Sequence, residues 1–536
     1  MTHRICLTIV VLTLIAGCDD SKQQEARDAR PNVLFILVDD LGWSDVSPFG
    51  SEIPTPNLDQ LAGAGTRFTN FHTAMKCNPT RAMFLTGLDN NLAAAGGRRD
   101  WRLLPDVPTI AEKLGAAGYQ SLMSGKWDAG SDTGQWPHDR GFDRTYSLLG
   151  AVASHFRASD GSDENDDGTV RGYTASGEAT TLPGDFYSTT WYTDRMIDLL
   201  ASRDHERPFF AYLSYTAPHY PLHAPPEYIE RFEGWYEDGY RAVHAARIAR
   251  LLEAGLLDAE AAAWTLENVP DWDSLSGEER AYEAKRMQVY AAMVAALDDG
   301  IGRVLDYLDQ AGLADATLVI FASDNGADGT PAGAGYNEAI HSNTVASIGT
   351  ARSYVTQGFN WAQTSSTPFR MVKSHPTEGG TRSPMIARWP GRIGAGGVND
   401  EWFVISDLHA AILELAGVDN RPPGRAPAMA GRSALRLMTD GEPIYAADET
   451  RIHTYVEGRR LGGANVVKGD WKLVWWKTNN VYAAPMLFNI ATDPNETTDV
   501  SAAHPDVVAS LVEEWQAYAE LAGEHVLEAD PAATGN

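Results

Sequence analysis

Cysteine is scarce in this sequence: three in 536 residues, at positions 6, 18 and 77. A disulfide framework is therefore excluded as the source of stability. The chain must bury a core instead, and 43% hydrophobic and 10% aromatic residues suffice for one large domain plus a smaller one. Positive charge is also short, 43 Lys and Arg against 72 Asp and Glu, for a formal charge of −29. Such a surface repels nucleic acid and anionic membranes, so an anionic substrate would need a site far more positive than its surroundings. Long apolar runs are absent as well. The N-terminal one, residues 5–16, is too short to span a bilayer, and no later segment looks transmembrane.

His3 and Arg4 precede that run and small residues follow it, the layout of an export signal. Ile15-Ala16-Gly17-Cys18 has the form of a bacterial lipobox, in which Cys18 becomes the lipidated N-terminus. An ordinary secretory signal with a chance cysteine is the other reading. Under the first, residues 1–18 are a leader and 19–30 a flexible tether, and the protein is exported to the periplasm or cell surface with lipid as its membrane attachment. Cys6 leaves with the signal, so Cys77 is the one thiol of the mature chain. A lone cysteine is usually a buried small hydrophobe. Its neighbours must say more.

Four apolar runs end abruptly in polar residues of catalytic type. NVLFILVDD ends in Asp39-Asp40, TLVIFASDNG runs into Asp324-Asn325, YQSLMSGKW reaches Lys126 and PFFAYLSYTAPHYPL reaches His219. Runs of this kind read as strands buried on both faces. Helical patterns lie between them, at 55–65, 109–118, 187–202 and about 278–312. The fold class predicted is α/β, a large mixed, mainly parallel sheet sandwiched by helices. Ligands of such sheets bind beyond the carboxyl ends of the strands, so these residues are expected together on one edge.

Asp39, Asp40, Asp324 and Asn325 are hard oxygen donors, three of them anionic. Packed together without a cation, the carboxylates would repel one another or take up protons, and a divalent ion relieves both. Oxygen ligands without His or Cys favour Ca²⁺ or Mg²⁺ over Zn²⁺. Arg81, Lys126, Lys373 and His219 are the candidate positive groups, suited to the equatorial oxygens of a transferred phosphoryl or sulfuryl group. Singly, each is an ordinary cap, turn or surface charge; equivalent placement at several strand ends is what argues for a site.

From Pro31 to about Glu520 the chain resembles the type I sulfatases of the alkaline phosphatase superfamily. The likeness rests on PNVLFILVDDLGWSD, TPNLDQLAGAGTRFTN, CNPTRAMFLTG, GKW, RGFDR, APHYPL, YAAMVAALDDGIGRVLDYL, SDNG, EGGTRSP, GDWKLV and LFNIATDPNE, in that order. Within the family it looks most like bacterial arylsulfatases, on HSNTVASIGTARSYV and a helical insertion at 234–275. The family sequence C-x-P-[ST]-R, here Cys77-Asn78-Pro79-Thr80-Arg81, is the mark read by a formylglycine-generating enzyme. The resemblance thus implies that Cys77 is the precursor of an aldehyde nucleophile and that sulfate monoesters are hydrolysed to sulfate and an alcohol or phenol. It also implies Ca²⁺, with Mg²⁺ the less favoured ion, held by Asp39, Asp40, Asp324, Asn325 and residue 77. Arg81 and Lys126 would steady residue 77 and the sulfate, and His219 and Lys373 would serve the leaving oxygen. Pro79 suits the first turn of a helix through Met83 and Phe84, which places residue 77 at a helix N-terminus.

One position departs from the family. Its members usually read G-K-W-H, whereas this chain has Gly125-Lys126-Trp127-Asp128. Asp128 can still act as a base, but it adds negative charge facing an anionic ester, and burial would raise its pKa. His138, ten residues on, is a candidate to stand in for the missing histidine. On the same scaffold a phosphonate or phosphate monoester hydrolase is the nearest alternative, and a catalytically reduced surface lipoprotein that binds sulfated ligands is another.

SDENDDG, at 162–168, begins like a calcium loop but has Thr174 where a Glu is needed, and reads as a solvated acidic loop. The large domain is expected over 31–430. A helix at 404–417 and a Pro-, Gly- and Ala-rich loop at 420–431 close it. Short strand patterns and a helix at 505–521 then predict a small α+β subdomain with an antiparallel sheet over 431–525, before a tail at 526–536.

Overall fold

A computed structural model of the chain describes residues 30–93, 102–157, 165, 169–258, 265–331, 333, 335–421, 429–457, 460–478 and 481–522. The export signal, all of the tether but Arg30, the tail and most of the acidic loop at 162–168 lie outside the described residues. Among the described residues no helix is long and apolar enough to cross a membrane.

A ten-stranded sheet forms the centre, in the spatial order Gly397–Asn399, Thr66–Phe68, Met385–Arg388, Thr317–Ser323, Asn32–Asp39, Phe209–Pro218, Gln120–Lys126, Arg144–Leu148, Tyr173–Ala175, Glu178–Ala179. The middle five, from Thr317–Ser323 to Arg144–Leu148, are parallel to one another. Antiparallel pairs occur toward the edges, which makes the sheet mixed and mainly parallel as expected.

Alternation along the central strand sorts its residues between two cores. Leu34, Ile36 and Val38 pack with the helices Ser188–Ala201 and Gly277–Gln310 on one face. Val33, Phe35 and Leu37 pack with Cys77–Thr86, Ile110–Ala116 and Ile405–Leu415 on the other. All six are fully buried, each contributing about 1.5–3 kcal/mol. The helices start where their caps are: Thr109 with Glu112, and Ser276 with Glu279, form reciprocal capping boxes.

The C-terminal segment adds an antiparallel sheet whose strands include Arg451–Glu457, Arg460–Lys468, Trp471–Thr478 and Met486–Asn489, covered by the helix Pro505–Ala522. Trp475 and Trp515 meet edge-to-face at 5.0 Å in its core. Residues just after 430 pack differently from this sheet: Ala434, Leu437 and Met438 belong to the core of the large sheet. The small sheet itself begins at Arg451.

Candidate active site at the carboxyl edge of the sheet

Parallel register brings the four predicted strand ends to one edge. Val38 lies beside Ser323 and Asp39 beside Pro218, so Asp324 and His219 emerge on either side of Asp39-Asp40. Lys126 ends the next strand, where a Cβ on Gly125 would sit 1.7 Å from the Ser214 carbonyl oxygen. Glycine before that lysine is what lets the strands close up. Cys77 opens the helix Cys77–Thr86 after the N-cap Lys76, with Pro79 in the first turn. The N-cap side chain makes no capping hydrogen bond, so it does not satisfy the leading N–H groups of this helix.

Lys373 arrives on a loop tied at both ends: its N–H donates to Ala327 O at 2.9 Å and that of Ser374 to Met75 O at 2.9 Å. Asp40, Asp128, Met371 and Ser374 all have φ between 50° and 73° without being glycine. Such backbone costs about 1–2 kcal/mol per residue and concentrates at sites where geometry is imposed by function.

The side chains converge. One ligand atom each of Asp39, Asp40, Cys77 and His219 lies within 4.8 Å of the others. Lys126 Nζ is 2.7 Å from Asp39 Oδ2, and Lys373 Nζ is 2.6 Å from Asp40 Oδ1, which also accepts from Asn325 Nδ2 at 2.7 Å. His219 Nε2 stands 3.4 Å from Asp40 Oδ2, while its Nδ1 donates to Tyr220 O at 2.6 Å. Arg81 grips Asp324 Oδ2 with Nε and Nη2, at 3.1 and 2.7 Å. Its Nη1 is taken by Lys126 O, Tyr212 and Ser214. The guanidinium thus braces three strand ends, and its Nη2, with one N–H left over, stands 3.8 Å from Asp39 Oδ1.

Burial and charge set the protonation states. Burial would raise the Asp39 carboxyl, but Lys126, with His219, Arg81 and Lys373, holds it well below the usual carboxylate range. Asp40 goes the other way, pushed up by burial against Lys373, with Asp328, Asp39 and Asp324 adding to the rise. Burial pushes the Cys77 thiol far up and holds His219 down, to about 3. Asp39 raises the affinity of Lys126 for its proton despite burial, as Asp40 does for Lys373.

Three buried oxygens in this cluster have no hydrogen-bond partner: Asp39 Oδ1, Asp40 Oδ2 and Asn325 Oδ1. Unpaired oxygens from carboxylate and amide groups are the donor set a hard divalent cation takes. Asp324 is placed with them, but Asp40 N–H and Arg81 engage both of its oxygens.

Asp128 is 5% exposed beside Lys126, whose Nζ is 3.5 Å from its Oδ2. Burial raises its carboxyl above the ordinary value against the pull of Lys126. Asn78 Nδ2 donates to both Oδ1 and the backbone carbonyl of Asp128. His138 does not join them: it is exposed and lies against Gly177 at the rim of the sheet. Ten residues of loop carry it away from Asp128. Sequence reading missed Asp328, 7% exposed and 3.9 Å from Lys373, although SDNGADG places it only four residues after Asp324.

A sequence profile of the sulfatase family matches residues 31–418. An arylsulfatase of Klebsiella aerogenes is 37% identical over 450 residues, covering 80% of this chain and 95% of that protein. An uncharacterized sulfatase of Schizosaccharomyces pombe is 35% identical over 533 residues, 92% of this chain and 94% of its own. Among solved structures, Ps i-CgsB in complex with k-i-k-neocarrahexaose superposes with a TM-score of 0.68 at 23% identity over 91% of this chain and 93% of that one. The phosphonate monoester hydrolase of Agrobacterium radiobacter superposes at 0.57 and 19% identity, over 93% and 97%. These two likenesses speak to fold alone. With the profile and the full-length relatives, the chain belongs to the sulfatase family, the hydrolases of sulfuric esters.

Proposed function

We propose that the protein hydrolyses sulfate monoesters, in the manner of an arylsulfatase, with a formylglycine made from Cys77 and one Ca²⁺ ion. The observation that carries this is the placement of Cys77 at an uncapped helix N-terminus within 4.8 Å of Asp39, Asp40 and His219 ligand atoms. Asp39, Asp40 and Asn325 would hold the ion through their unpaired oxygens, with Asp324 and residue 77 completing the set. Hydrated formylglycine supplies a nucleophilic oxygen and a second hydroxyl for expelling sulfate, and Ca²⁺ supplies positive charge facing the sulfate.

The remaining work falls to the chain's own side chains. Lys126 and Lys373 orient and neutralise the sulfate oxygens. His219 Nδ1 is committed to Tyr220 O, so Nε2 is the atom that hands a proton to the leaving oxygen. An anionic ester beside the buried ring raises its proton affinity. Asp128 Oδ2, buried, without a hydrogen-bond partner and 3.5 Å from Lys126 Nζ, would serve as the base for the second hydroxyl. Arg81 holds Asp324 and the Lys126 carbonyl, and its remaining Nη2 N–H is left to steady residue 77 and the sulfate.

Export with lipid on Cys18, and maturation by a formylglycine-generating enzyme, belong to the same proposal. The relatives and solved neighbours include proteins named for aryl and carbohydrate substrates, so a small aryl or sugar sulfate is the partner expected.

The test is peptide mass spectrometry across Cys77 on protein made alongside a formylglycine-generating enzyme, with sulfate release assayed on the same sample. Aldehyde mass with turnover supports the proposal. Unmodified thiol with full activity overturns it. Faster turnover of a phenyl phosphonate ester would move the reading to the activity named for the Agrobacterium radiobacter neighbour, and saturable binding without sulfate release to a binding protein.

A further inference from the structure

Against the backbone of His219 stands a second histidine that none of the motifs contains. His155 lies on the loop after the strand Arg144–Leu148 and is 1% exposed. Its Nε2 is 2.9 Å from the backbone carbonyl oxygen of His219. A carbonyl oxygen only accepts, so Nε2 carries the proton. Nδ1 then accepts from the Ser188 hydroxyl at 2.7 Å, and Thr216 Oγ1 donates toward that hydroxyl at 3.3 Å.

The loop that delivers His155 is itself pinned. Ser188 N–H donates to His155 O at 2.9 Å, where the helix Ser188–Ala201 begins. Phe156 packs on Tyr187 with centroids 5.1 Å apart and on His223 at 5.7 Å. His223 is fixed in turn by Ser353 O at 2.8 Å. A chain of directed bonds therefore runs from the sheet strand through Thr216, Ser188 and His155 to the one peptide carbonyl that precedes the Tyr220 peptide. The His219 backbone is thus held at its carbonyl by His155 and at its N–H by Thr216 O, 3.1 Å away, while the ring is tied through Nδ1 to Tyr220 O.

We propose that His155 is a positioning residue for ester cleavage. By donating to the His219 carbonyl it fixes where His219 Nε2 stands relative to the leaving oxygen. This rests on the reading of His219 as the group that protonates that oxygen. A ring shifted by an ångström no longer reaches the oxygen in line, and the loss falls hardest on esters whose alcohol most needs the proton. A residue that merely fills space would cost all esters alike.

The experiment is the dependence of kcat/KM on leaving-group pKa across substituted phenyl sulfates, on the matured full-length protein. His219→Ala is expected to steepen the dependence. His155→Ala and His155→Asn are expected to steepen it too, losing about tenfold more on phenyl sulfate than on para-nitrophenyl sulfate. His155→Gln, whose amide nitrogen reaches the position of Nε2, is expected to keep the wild-type slope. If His219→Ala steepens the slope while the His155 variants lower every ester by one factor, the proposal is overturned and the His219 reading stands. If His219→Ala leaves the slope unchanged, the His219 reading fails and the proposal falls with it. Gln and Asn both fill the space with an amide, so equal slopes for that pair overturn the proposal even where His155→Ala does not fold.

Discussion

Lys472→Met tests how the small sheet is joined to the catalytic edge. Lys472 sits on the strand Trp471–Thr478, 1% exposed, with its ammonium bound to Glu378 and, at 2.8 Å, to Glu496. Glu378 opens the short helix Glu378–Thr381, five residues after Lys373, and also meets His72 at 3.1 Å and Arg382 at 3.5 Å. Glu496 Oε2 accepts from Glu378 N–H at 2.8 Å. Met nearly matches lysine in volume, so the change opens little cavity and the loss is electrostatic. Breaking a buried pair from one side costs about 3–5 kcal/mol.

Glu378 keeps His72 and Arg382, whereas Glu496 loses its one ion-pair partner among the described residues. Burial already raises the Glu496 carboxyl against the pull of Lys472. Without the ammonium it rises further, so the folded variant holds a proton that the unfolded chain releases. Stability then falls as pH rises, and the deficit is largest near neutrality and shrinks in mild acid. Urea and thermal midpoints of both proteins at two pH values measure it, with kcat/KM as the functional readout through the Lys373 loop. A deficit below about 1 kcal/mol, the range of an exposed pair, or one insensitive to acid, refutes the reasoning.

Arg247→Ala strips Asp45 and Glu52 of a fully buried guanidinium that meets each at 2.7 Å. Because Asp45 also holds Gly42 N–H and Tyr290 next to Asp39-Asp40, calorimetry is expected to show a loss of about 3–5 kcal/mol together with weaker metal retention. Asp128→Asn is expected to lower kcat about 100-fold and to delete an acid limb that lies above the ordinary carboxylate range, the direction in which burial moves Asp128. If Asp128→His leaves turnover and pH profile unchanged, Asp128 takes no part. Chelation is expected to lower the melting temperature and abolish turnover, with Ca²⁺ restoring both better than Mg²⁺; at 100 times the Kd an ion adds about 2.7 kcal/mol.

The sheet was legible because its central strands are buried on both faces. A segment such as Val33 to Val38 has to be apolar throughout, and the first polar residue after it marks the edge. Asp39, Lys126, His219 and Asp324 were found that way. Side chains that reach the site from outside the strands leave no such mark. Asn78, Asp328 and His155 act through contacts 50, 45 and 64 residues distant in sequence, and only the folded chain brings them together. Nearness in sequence misled in the case of His138, which the turn after Asp128 carries to the surface. Arg81 was expected to steady residue 77 and the sulfate; in the fold Nε, Nη1 and one N–H of Nη2 go to Asp324, Lys126 O, Tyr212 and Ser214, which leaves the second Nη2 N–H for that role. Side-chain type gives a group's charge, and the count of unmatched partners decides where that charge is spent.

The same counting changes the argument for a metal. Read from sequence, Asp39, Asp40 and Asp324 demand a cation because they repel. In the fold Arg81, Lys126 and Lys373 already match them one for one. Asp128 and Asp328 then bring the cluster to five carboxylates against three cations, a formal charge of −2 when all are ionised. An ester carrying one negative charge would meet repulsion there, as it does across a surface of −29. One divalent ion held by the three unpaired oxygens would bring the cluster to neutrality. On the proposed reading the ion would thus do for the entering anion what protons on Asp40 and Asp128, whose carboxyls burial pushes up, would otherwise have to do.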